Sequence, residues 1–332
     1  MMDDGARTGP RLTAQELPPA SVEVVRNAVI APMVSPEELA CGVFREDGSF
    51  CEQSRTLYSA NRFTGIPMEP DGPAHLPGRH LFAGIGRHHF GHFLMECIPR
   101  LWGLDEAGPV DSLLIVPRHG IDFEAVFKRR LGAFIHELTD GLPVHFVDLP
   151  LIVDELVLPS QGMGHRHWIT GTERFRCFIR DRLASRIVPD GPDKIYVSRS
   201  RLKHAAQMVD QEERIEKLMS KAGYTIFHPQ RHSISEQCAC YMAADTIVGT
   251  DGSAFHLAPF VMRPGTRVGL IQRRWRQAAF DALADQIRAF ADVELTTINP
   301  LIRPEEGEEV RTDRPPLDYR RLLRKLEAHG FL

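Results

Sequence analysis

The sequence predicts an α/β protein built on parallel β-sheet, and three features support that prediction. Predicted strands and helices alternate over residues 194–298, which is typical of a doubly wound parallel sheet. The chain has 332 residues, which is enough for two hydrophobic cores. A cluster of Pro, Gly and Asp interrupts the pattern at residues 188–193 (VPDGPD) and is typical of a domain boundary. We therefore expect two α/β domains.

The N-terminal half shows a less regular pattern. Residues 1–20 are polar and contain proline, so we expect a loosely held lead-in. Asn61–Arg79 is rich in Pro and Gly and predicts a long loop. Helices are expected over 90–104, 123–131 and 172–187, and strands over 112–117, 144–148 and 151–159.

The C-terminal half predicts regular strand–helix units. Ser233 with Glu236 three residues later has the pattern of a capping box at a helix start. The last helix, Asp318–Ala328, follows a Pro/Arg-rich segment and could pack back on another domain. Strands are expected at 194–199, 224–229, 246–250, 267–272 and 293–299, and helices at 211–223, 233–244, 253–262 and 279–291.

Composition narrows the class of function. Hydrophobic residues make up 43% of the chain and charged residues 25%, as in ordinary globular proteins. The formal net charge is −4, which gives no electrostatic support for nucleic acid as the main partner. Only six of the 40 basic residues are lysine. The arginine excess fits a GC-rich genome, and arginine also binds phosphate and carboxylate well.

The sequence also predicts a compartment. The N-terminus lacks the basic and apolar regions of a signal peptide, and no run of 18 apolar residues predicts a membrane span. The cysteines show neither a CxxC pair nor metal-ligand spacing, so we expect reduced, mostly buried thiols in the cytosol. The six are Cys41, Cys51, Cys97, Cys177, Cys238 and Cys240.

Polar segments follow three of the predicted C-terminal strands where each strand ends. They are SRSRLK from Ser198, HPQRH from His228 and TDGSAFH from Thr250. In a parallel sheet, ligands bind beyond the carboxyl ends of the strands. The convergence of these segments predicts a site for an anionic ligand.

The TDGSAFH segment suits a tight strand-to-helix turn. Gly249 and Gly252 allow the turn, and the helix expected after it offers free main-chain N–H groups at Ser253 and Ala254. Such an N-terminus can bind phosphate. The alternative is that Asp251 or Ser253 merely caps the helix.

The SRSRLK segment places basic groups at a strand end. Alternation puts Arg199 and Arg201 on one side, where they could neutralise a diphosphate leaving group without a metal ion. A solvated loop is the alternative, more so for Arg201 and Lys203 than for Arg199.

The segment Gly86–Trp102 (GRHHFGHFLMECIPRLW) combines titratable groups with an apolar helical pattern. On a helix His89, His92 and Glu96 form one stripe, and His88 with His92 form an i, i+4 pair. That pair resembles half a zinc site, but HExxH is absent. His92 or Glu96 could act as a general base. Arg100 could pair with Glu96 along the helix.

Taken together, the motifs resemble those of a known family. GHFLMECIPRLW, IYVSRSR, VDQEERIEKL and GYTIFHPQRHSISEQCACYMAADTIVGTDGSAFH occur in the order and spacing typical of glycosyltransferase family 61. The resemblance covers about residues 86–270. Each motif is weak alone, and the ordered set is fairly specific.

The resemblance implies a GT-B fold, in which two Rossmann-like domains face each other across a cleft. It implies inverting transfer of a sugar from a nucleotide donor to a hydroxyl acceptor, with no metal ion or other cofactor. The expected division is an acceptor-side domain over 1–188, a nucleotide-sugar domain over 189–300, and a crossing segment with a helix over 301–332.

The resemblance also assigns residues, by their positions in the motifs. The expected catalytic residues are His92, Glu96 and Asp251, and the sequence does not decide which of them is the base. His89 and Arg100 are expected on the acceptor side. The residues expected to bind the donor are Ser198, Arg199, Lys203, Glu236, Gln237, Gly252, Ser253 and Ala254.

Two other functions stay open from the sequence. One is a metal-dependent hydrolase that uses His88, His89, His92 and Glu96. The other is a catalytically silent relative that binds a glycan. For the transferase, the expected acceptor is a glycan or lipid-linked glycan of surface polysaccharide biosynthesis. The expected location is cytoplasmic, and a lipid-linked acceptor would bring the protein to the inner face of a membrane.

Overall fold

The computed structural model describes residues 17–35, 37–120, 122–202, 209–302 and 315–332. They form two compact units, which fall within Met1–Leu183 and Ala184–Leu332. Each unit contains a β-sheet with parallel strands. These sheets confirm the predicted α/β class.

The first unit contains a six-stranded mixed sheet with the order β2-β1-β8-β5-β6-β7. Strands β8, β5, β6 and β7 are parallel to one another, whereas β1 runs antiparallel to both β8 and β2. A separate antiparallel pair is formed by β3 and β4. The strands are β1 (Val22–Ala31), β2 (Gly42–Phe44), β3 (Leu57–Ser59), β4 (Arg62–Phe63), β5 (Ala74–Gly86), β6 (Ser112–Pro117), β7 (Val144–Phe146) and β8 (Leu151–Pro159).

Strand β5 corrects the predicted loop over Asn61–Arg79. It begins at Ala74 and continues through Pro77 and Gly78. The pairing with β8 shifts register between Leu76 and Arg79, and Gly78 has a φ of +111°. A β-bulge therefore accommodates two residues that usually end a strand. Beyond the bulge, residues 80–86 are all buried, as expected for a central parallel strand.

The helix predicted over 90–104 is two shorter pieces. Helix α1 (Phe90–Glu96) ends at Cys97, and a 3-10 helix follows over Ile98–Asp105. Pro99 stands at the start of the second piece, where it cannot donate the hydrogen bond that would continue an α-helix. The other helices in the described part of this unit are α2 (Phe123–Val126), a π-helical turn (Phe127–Leu131), α3 (Gly132–Leu138), α4 (Glu173–Ala184) and two short 3-10 helices (Glu52–Ser54 and Arg166–Trp168).

The second unit contains the predicted parallel sheet. Its five strands have the order β10-β9-β11-β12-β13, and every pair is parallel. The strands are β9 (Lys194–Val197), β10 (Thr225–Phe227), β11 (Thr246–Thr250), β12 (Arg267–Ile271) and β13 (Glu294–Ile298). The α-helices among the described residues of this unit are α5 (Glu212–Lys221), α6 (Ile234–Ala243), α7 (Ala254–Leu257), α8 (Gln277–Phe290) and α9 (Tyr319–Ala328).

Helix α9 packs on the core of the second unit itself. Leu322 and Leu326 lie in one cluster of buried residues with Ile215 and Met219 of α5. The cluster also contains residues of β9, β11 and β12. The amphipathic pattern of α9 is therefore satisfied within this unit.

Two further predictions concern the thiols and membrane spans. Within the described residues none of the six cysteines forms a disulfide, and all but Cys177 are buried, as expected from the sequence. Among the helices of the described ranges, none has the length and apolarity needed to cross a bilayer.

Candidate functional site

In the first unit, polar groups gather at the carboxyl edge of the sheet, where parallel strands end together. Strand β5 leads into residues 87–89 and then α1, and β8 leads into residues 160–168. Because β5 and β8 are parallel neighbours, these two segments lie at the same edge. Gly84 of β5 has a φ of +100°, and a Cβ there would lie 2.9 Å from the Glu96 carbonyl oxygen. Glycine thus lets the end of α1 pack closely against the strand.

Glu96 is the centre of this edge. Its side chain is fully buried, and its Oε1 lies 2.5 Å from His92 Nδ1 and 2.9 Å from His165 Nε2. Oε2 lies 3.9 Å from the Nε atom of the buried Arg87. His92, Glu96 and His165 form what we call the His–Glu cluster. His92 is 37% exposed, so the cluster has a buried acid and an accessible imidazole.

The hydrogen bonds determine the charge and tautomer within the cluster. Burial alone would raise the pKa of the Glu96 carboxyl, but the hydrogen bonds from His165 and His92 hold that pKa below its ordinary value. A carboxylate only accepts hydrogen bonds, so His92 Nδ1 carries a hydrogen, and in the neutral imidazole Nε2 has the lone pair. Within the described residues, no hydrogen bond reaches Nε2. His92 therefore has the form of an oriented general base.

His88 and His89 lie beside the cluster and make no hydrogen bond with Glu96. Their rings contact each other with centroids 4.0 Å apart, and the His89 and His92 centroids are 6.2 Å apart. Desolvation, the imidazoles of His88 and His92, and Arg87 lower the pKa of His89 to about 4. His89 is therefore neutral near pH 7 and suited to hydrogen bonding rather than to charge.

Arg100 lies beneath this edge and does not pair with Glu96. It is fully buried, and its Nη2 donates to the main-chain carbonyls of Gln53 and Arg55 at 2.9 and 2.8 Å. Burial lowers the pKa of Arg100 to about 10. The change from α1 to a 3-10 helix alters the i, i+4 spacing on which the Glu96–Arg100 alternative depended.

The His–Glu cluster is also a group that could hold a metal ion. One ligand atom from each of His92, Glu96 and His165 lies within 4.8 Å of the others. The set differs from the predicted one because His165 takes part and His88 and His89 do not. The separations of 2.5 and 2.9 Å are hydrogen-bond lengths, shorter than the roughly 3.3 Å between two ligands of a tetrahedral zinc ion.

In the second unit, the carboxyl ends of β9, β11 and β12 bring arginines together. Arg199 follows β9, and Arg273 and Arg274 follow β12. We call these three residues the arginine cluster. Burial lowers the pKa of each of them, and for Arg273, whose pKa falls to about 9, Arg199 and Arg274 lower it further. Asp251 opposes this shift and raises the pKa of all three arginines, so three cations and one carboxylate share this edge.

Asp251 lies among these arginines. Its Oδ1 accepts the Arg273 main-chain N–H at 2.7 Å, and its Oδ2 lies 3.8 Å from Arg273 Nε and 3.6 Å from Arg274 Nη2. Ser253 occupies the N-cap position of α7, as the capping alternative predicted, but its side chain makes no capping hydrogen bond. The Asp251 carboxylate instead binds the start of the segment that follows β12.

Gly252 gives Arg199 its space. A Cβ at Gly252 would overlap Nη1 of Arg199, so the absence of a side chain at Gly252 leaves room for the guanidinium. Gly252, Ser253 and Ala254 are half-buried, and α7 is only four residues long. The helix dipole at this turn is therefore small compared with the charge of the arginines.

The other residues predicted to bind the donor support neighbouring turns. The hydroxyls of Ser198 and Ser200 donate to Glu216 at 2.5 Å each. Glu236 is exposed and forms the predicted capping box with Ser233, which is confirmed.

Gln237 and Lys203 complete the predicted set. Gln237 Nε2 donates to the main-chain carbonyls of Pro229 and His232 at 2.9 and 3.1 Å, which steadies the segment after β10. Lys203 lies outside the described residues.

The arrangement can be compared with known proteins. The model of the family described as Glycosyltransferase 61 matches residues 90–269, more than half of the chain. The chain belongs to glycosyltransferase family 61. Membership of family 61 implies glycosyltransferase activity, with a nucleotide sugar as donor and a glycan as acceptor. A comparison with curated protein sequences finds no match.

The range matched to family 61 contains the His–Glu cluster, Arg199 and Asp251, but it ends before Arg273 and Arg274. Sequence reasoning missed both of these arginines, together with His165 and Glu212. The rule of strand ends applied to QRRW after β12 and to GHRHW after β8 would have indicated three of them. Glu212 had no such signal, because an acidic residue in a first helical turn is common.

Proposed function

We propose that this family 61 member transfers a hexosyl or pentosyl group with inversion and without a metal ion. The donor is a nucleoside diphosphate sugar and the acceptor a glycan hydroxyl. The observation that carries the proposal is the arginine cluster at the carboxyl edge of the second sheet. Three cations at one edge provide the charge that a metal ion would otherwise supply to a departing diphosphate.

The arginine cluster would bind the diphosphate of the donor. Arg199 and Arg274 are the members best suited to direct contact, because the Arg273 Nε atom donates to the Asp251 main-chain oxygen at 2.6 Å. As the bond between the anomeric carbon and the phosphate oxygen breaks, negative charge grows on the diphosphate. The guanidinium groups stabilise that charge more in the transition state than in the ground state.

The His–Glu cluster would activate the acceptor. His92 Nε2 removes the proton of the acceptor hydroxyl, and the oxygen attacks the anomeric carbon on the face opposite the diphosphate. Glu96 holds the His92 ring and stabilises the imidazolium that forms, as carboxylate–histidine pairs do in other enzymes. His165 shares Oε1 of Glu96 and thereby limits rotation of the carboxylate. In this assignment Asp251 positions arginines and is not the base.

This division of roles is the basis for several finer proposals. A GT-B architecture would place the donor in the second unit and the acceptor in the first. We further propose a cytoplasmic enzyme of surface polysaccharide biosynthesis, which meets a lipid-linked glycan at the inner face of the membrane. The support for these proposals is the family resemblance of the motifs.

Binding tests the donor site directly. The purified chain should be titrated with UDP, GDP, dTDP and CDP in the presence of EDTA, with thermal unfolding as the readout. A nucleotide at 100 times its dissociation constant should stabilise the fold by about 2.7 kcal/mol. A shift with one nucleotide that persists in EDTA and disappears in Arg199→Ala supports the proposal. If no nucleotide stabilises the chain under any condition, the donor site is refuted.

A metal-dependent hydrolase is a second candidate, and the His92, Glu96 and His165 ligand set favours it. It requires a tightly bound transition metal and neutral imidazoles at the metal. Elemental analysis of the purified protein distinguishes the two functions. One equivalent of zinc or iron that is lost in Glu96→Gln, together with destabilisation by EDTA, would favour the hydrolase over the metal-independent transferase.

A further inference from the structure

We propose that Glu212 is a positioning residue of the diphosphate site, which holds the main chain of Arg199 and exchanges a proton when the nucleotide binds. This inference rests on the proposed donor site. Glu212 lies in the motif VDQEERIEKL but is assigned no role by the resemblance, and it does not itself contact the donor in this proposal. Its carboxyl would set how strongly the arginine cluster attracts an anion.

The geometry ties Glu212 to the segment that ends β9. Glu212 begins α5 and is 3% exposed. Its Oε1 accepts the Arg199 main-chain N–H at 2.8 Å and the Tyr196 hydroxyl at 3.4 Å. The hydrogen bond from Arg199 fixes the main chain from which the guanidinium extends toward Gly252.

The second carboxyl oxygen has a different environment. Oε2 of Glu212 is buried and has no hydrogen-bond partner among the described residues. An ionised carboxylate with one such oxygen carries a large desolvation cost, whereas the protonated acid lowers that cost. The site therefore accommodates either form of the carboxyl without a change in the Oε1 contacts.

Charged and titratable groups face Glu212 from three directions. Tyr196 and Arg199 come from β9 and the segment after it, Glu216 from α5, and Arg273 from the segment after β12. Burial raises the pKa of Glu212 to about 7, with Glu216 acting in the same direction and Arg199 and Tyr196 opposing it. Near neutral pH both protonation states are therefore populated.

The electrostatic consequence follows from linkage. An ionised Glu212 offsets part of the positive field of Arg199 and Arg273, whereas a protonated Glu212 leaves it intact. An anionic diphosphate thus favours the protonated form and binds with uptake of a proton. The affinity for the diphosphate should therefore rise by about tenfold as pH falls from 8 to 6, since binding takes up one proton over this pH range.

Titration calorimetry of the full chain at pH 6, 7 and 8 tests this inference. The probe is whichever of UDP-glucose, GDP-mannose and dTDP-glucose binds, since its diphosphate diester does not titrate in this range. Wild type and the exposed-site control Glu213→Gln should bind about tenfold more tightly at pH 6 than at pH 8. Glu212→Gln should show no pH dependence. Its affinity at every pH should match that of wild type at pH 6.

A second measurement is independent of any nucleotide. The unfolding temperature of ligand-free wild type should fall relative to Glu212→Gln as pH rises from 5 to 8, because ionisation of Glu212 opposes folding. Equal pH dependence in both proteins would overturn the proposal, and so would a pH-dependent affinity that persists in Glu212→Gln. If no sugar nucleotide binds but the stability difference appears, the donor assignment has failed and the titrating carboxyl stands.

Discussion

His165 Nε2 lies 2.9 Å from Glu96 Oε1, although 69 residues separate the two in the chain. The same oxygen accepts a hydrogen bond from His92 Nδ1 at 2.5 Å, and both of these residues belong to α1. A local contact along one helix and a long-range contact from the segment after β8 therefore converge on one buried oxygen. The orientation of His92 depends on both, because a carboxylate held from two directions cannot rotate away from the ring.

Replacing His92 tests the base. We expect His92→Gln to lower kcat by about 10² to 10⁴-fold and to leave nucleotide affinity unchanged, because general-base catalysis acts on the acceptor. Rates of sugar transfer at saturating donor, with nucleotide binding measured in parallel, check this. His89→Asn is the comparison, and a comparable fall in kcat there would argue against a specific role for His92.

Replacing His165 tests the long-range contact. His165→Ala should reduce kcat about tenfold and weaken the fold by about 1 to 2 kcal/mol, because Glu96 loses a charge-assisted hydrogen bond while it stays buried. Transfer rates and denaturant unfolding are the measurements. The matched control is His167→Ala, since His167 is exposed and lies in the 3-10 helix (Arg166–Trp168) whose N-cap residue is His165. If both variants keep the wild-type transfer rate and the wild-type stability, His165 contributes neither to the orientation of Glu96 nor to the fold.

The arginine cluster predicts how nucleotide affinity divides among side chains. Arg199→Ala and Arg274→Ala should each weaken nucleotide binding by about 10 to 100-fold, since each removes a charge-assisted contact worth about 1.5 to 3 kcal/mol. The exposed Arg201 is the control, because it lies two residues from Arg199 at the surface. Calorimetry in EDTA measures all three. An equal loss in Arg201→Ala would indicate a general charge effect.

Gly252 offers a change that adds atoms and removes no charge. Gly252→Ala should displace the Arg199 guanidinium, because the new Cβ would overlap Nη1. We expect a loss of nucleotide affinity close to that of Arg199→Ala, with little change in unfolding temperature, since a flexible side chain can move aside. Combining the two substitutions should add nothing further to the loss. Additive losses would show that Gly252 acts by another route.

Glu96 predicts a pH-dependent contribution to stability. Hydrogen bonds from His165 and His92 hold its pKa below the ordinary value, so its stabilisation is present above about pH 5 and disappears as pH falls through the folded-state pKa. Glu96→Gln should unfold more easily than wild type by about 2 kcal/mol at pH 7 and by less under acid conditions. Urea unfolding at a series of pH values measures the difference. A constant difference from pH 7 to 3 would contradict the assigned ionisation.

Local patterns in the sequence were enough for much of this protein. The regular strand–helix alternation after residue 194 predicted the five-stranded parallel sheet, because buried parallel strands are apolar runs bounded by polar turns. The Ser233 capping box was readable for a similar reason, since both of its hydrogen bonds lie within four residues. The family 61 motifs can likewise be recognised from the sequence alone, because each is a short continuous segment at a strand end or a helix start.

Long-range pairing decided the rest. The bulge that carries β5 through Pro77 and Gly78 depends on its partner β8, about 75 residues away, and nothing local to the loop-like sequence indicates it. His165 and Arg273 are ordinary surface-type residues in sequence, and they gain roles only when parallel strands end side by side. The clearest example is the pair of buried glutamates. The pKa of the Glu96 carboxyl is lowered, whereas the pKa of the Glu212 carboxyl is raised. Glu96 accepts hydrogen bonds from two imidazoles, whereas Glu212 accepts them from one main-chain N–H and one hydroxyl. These donors come together only in the folded chain, so the sequence alone does not indicate the two pKa shifts.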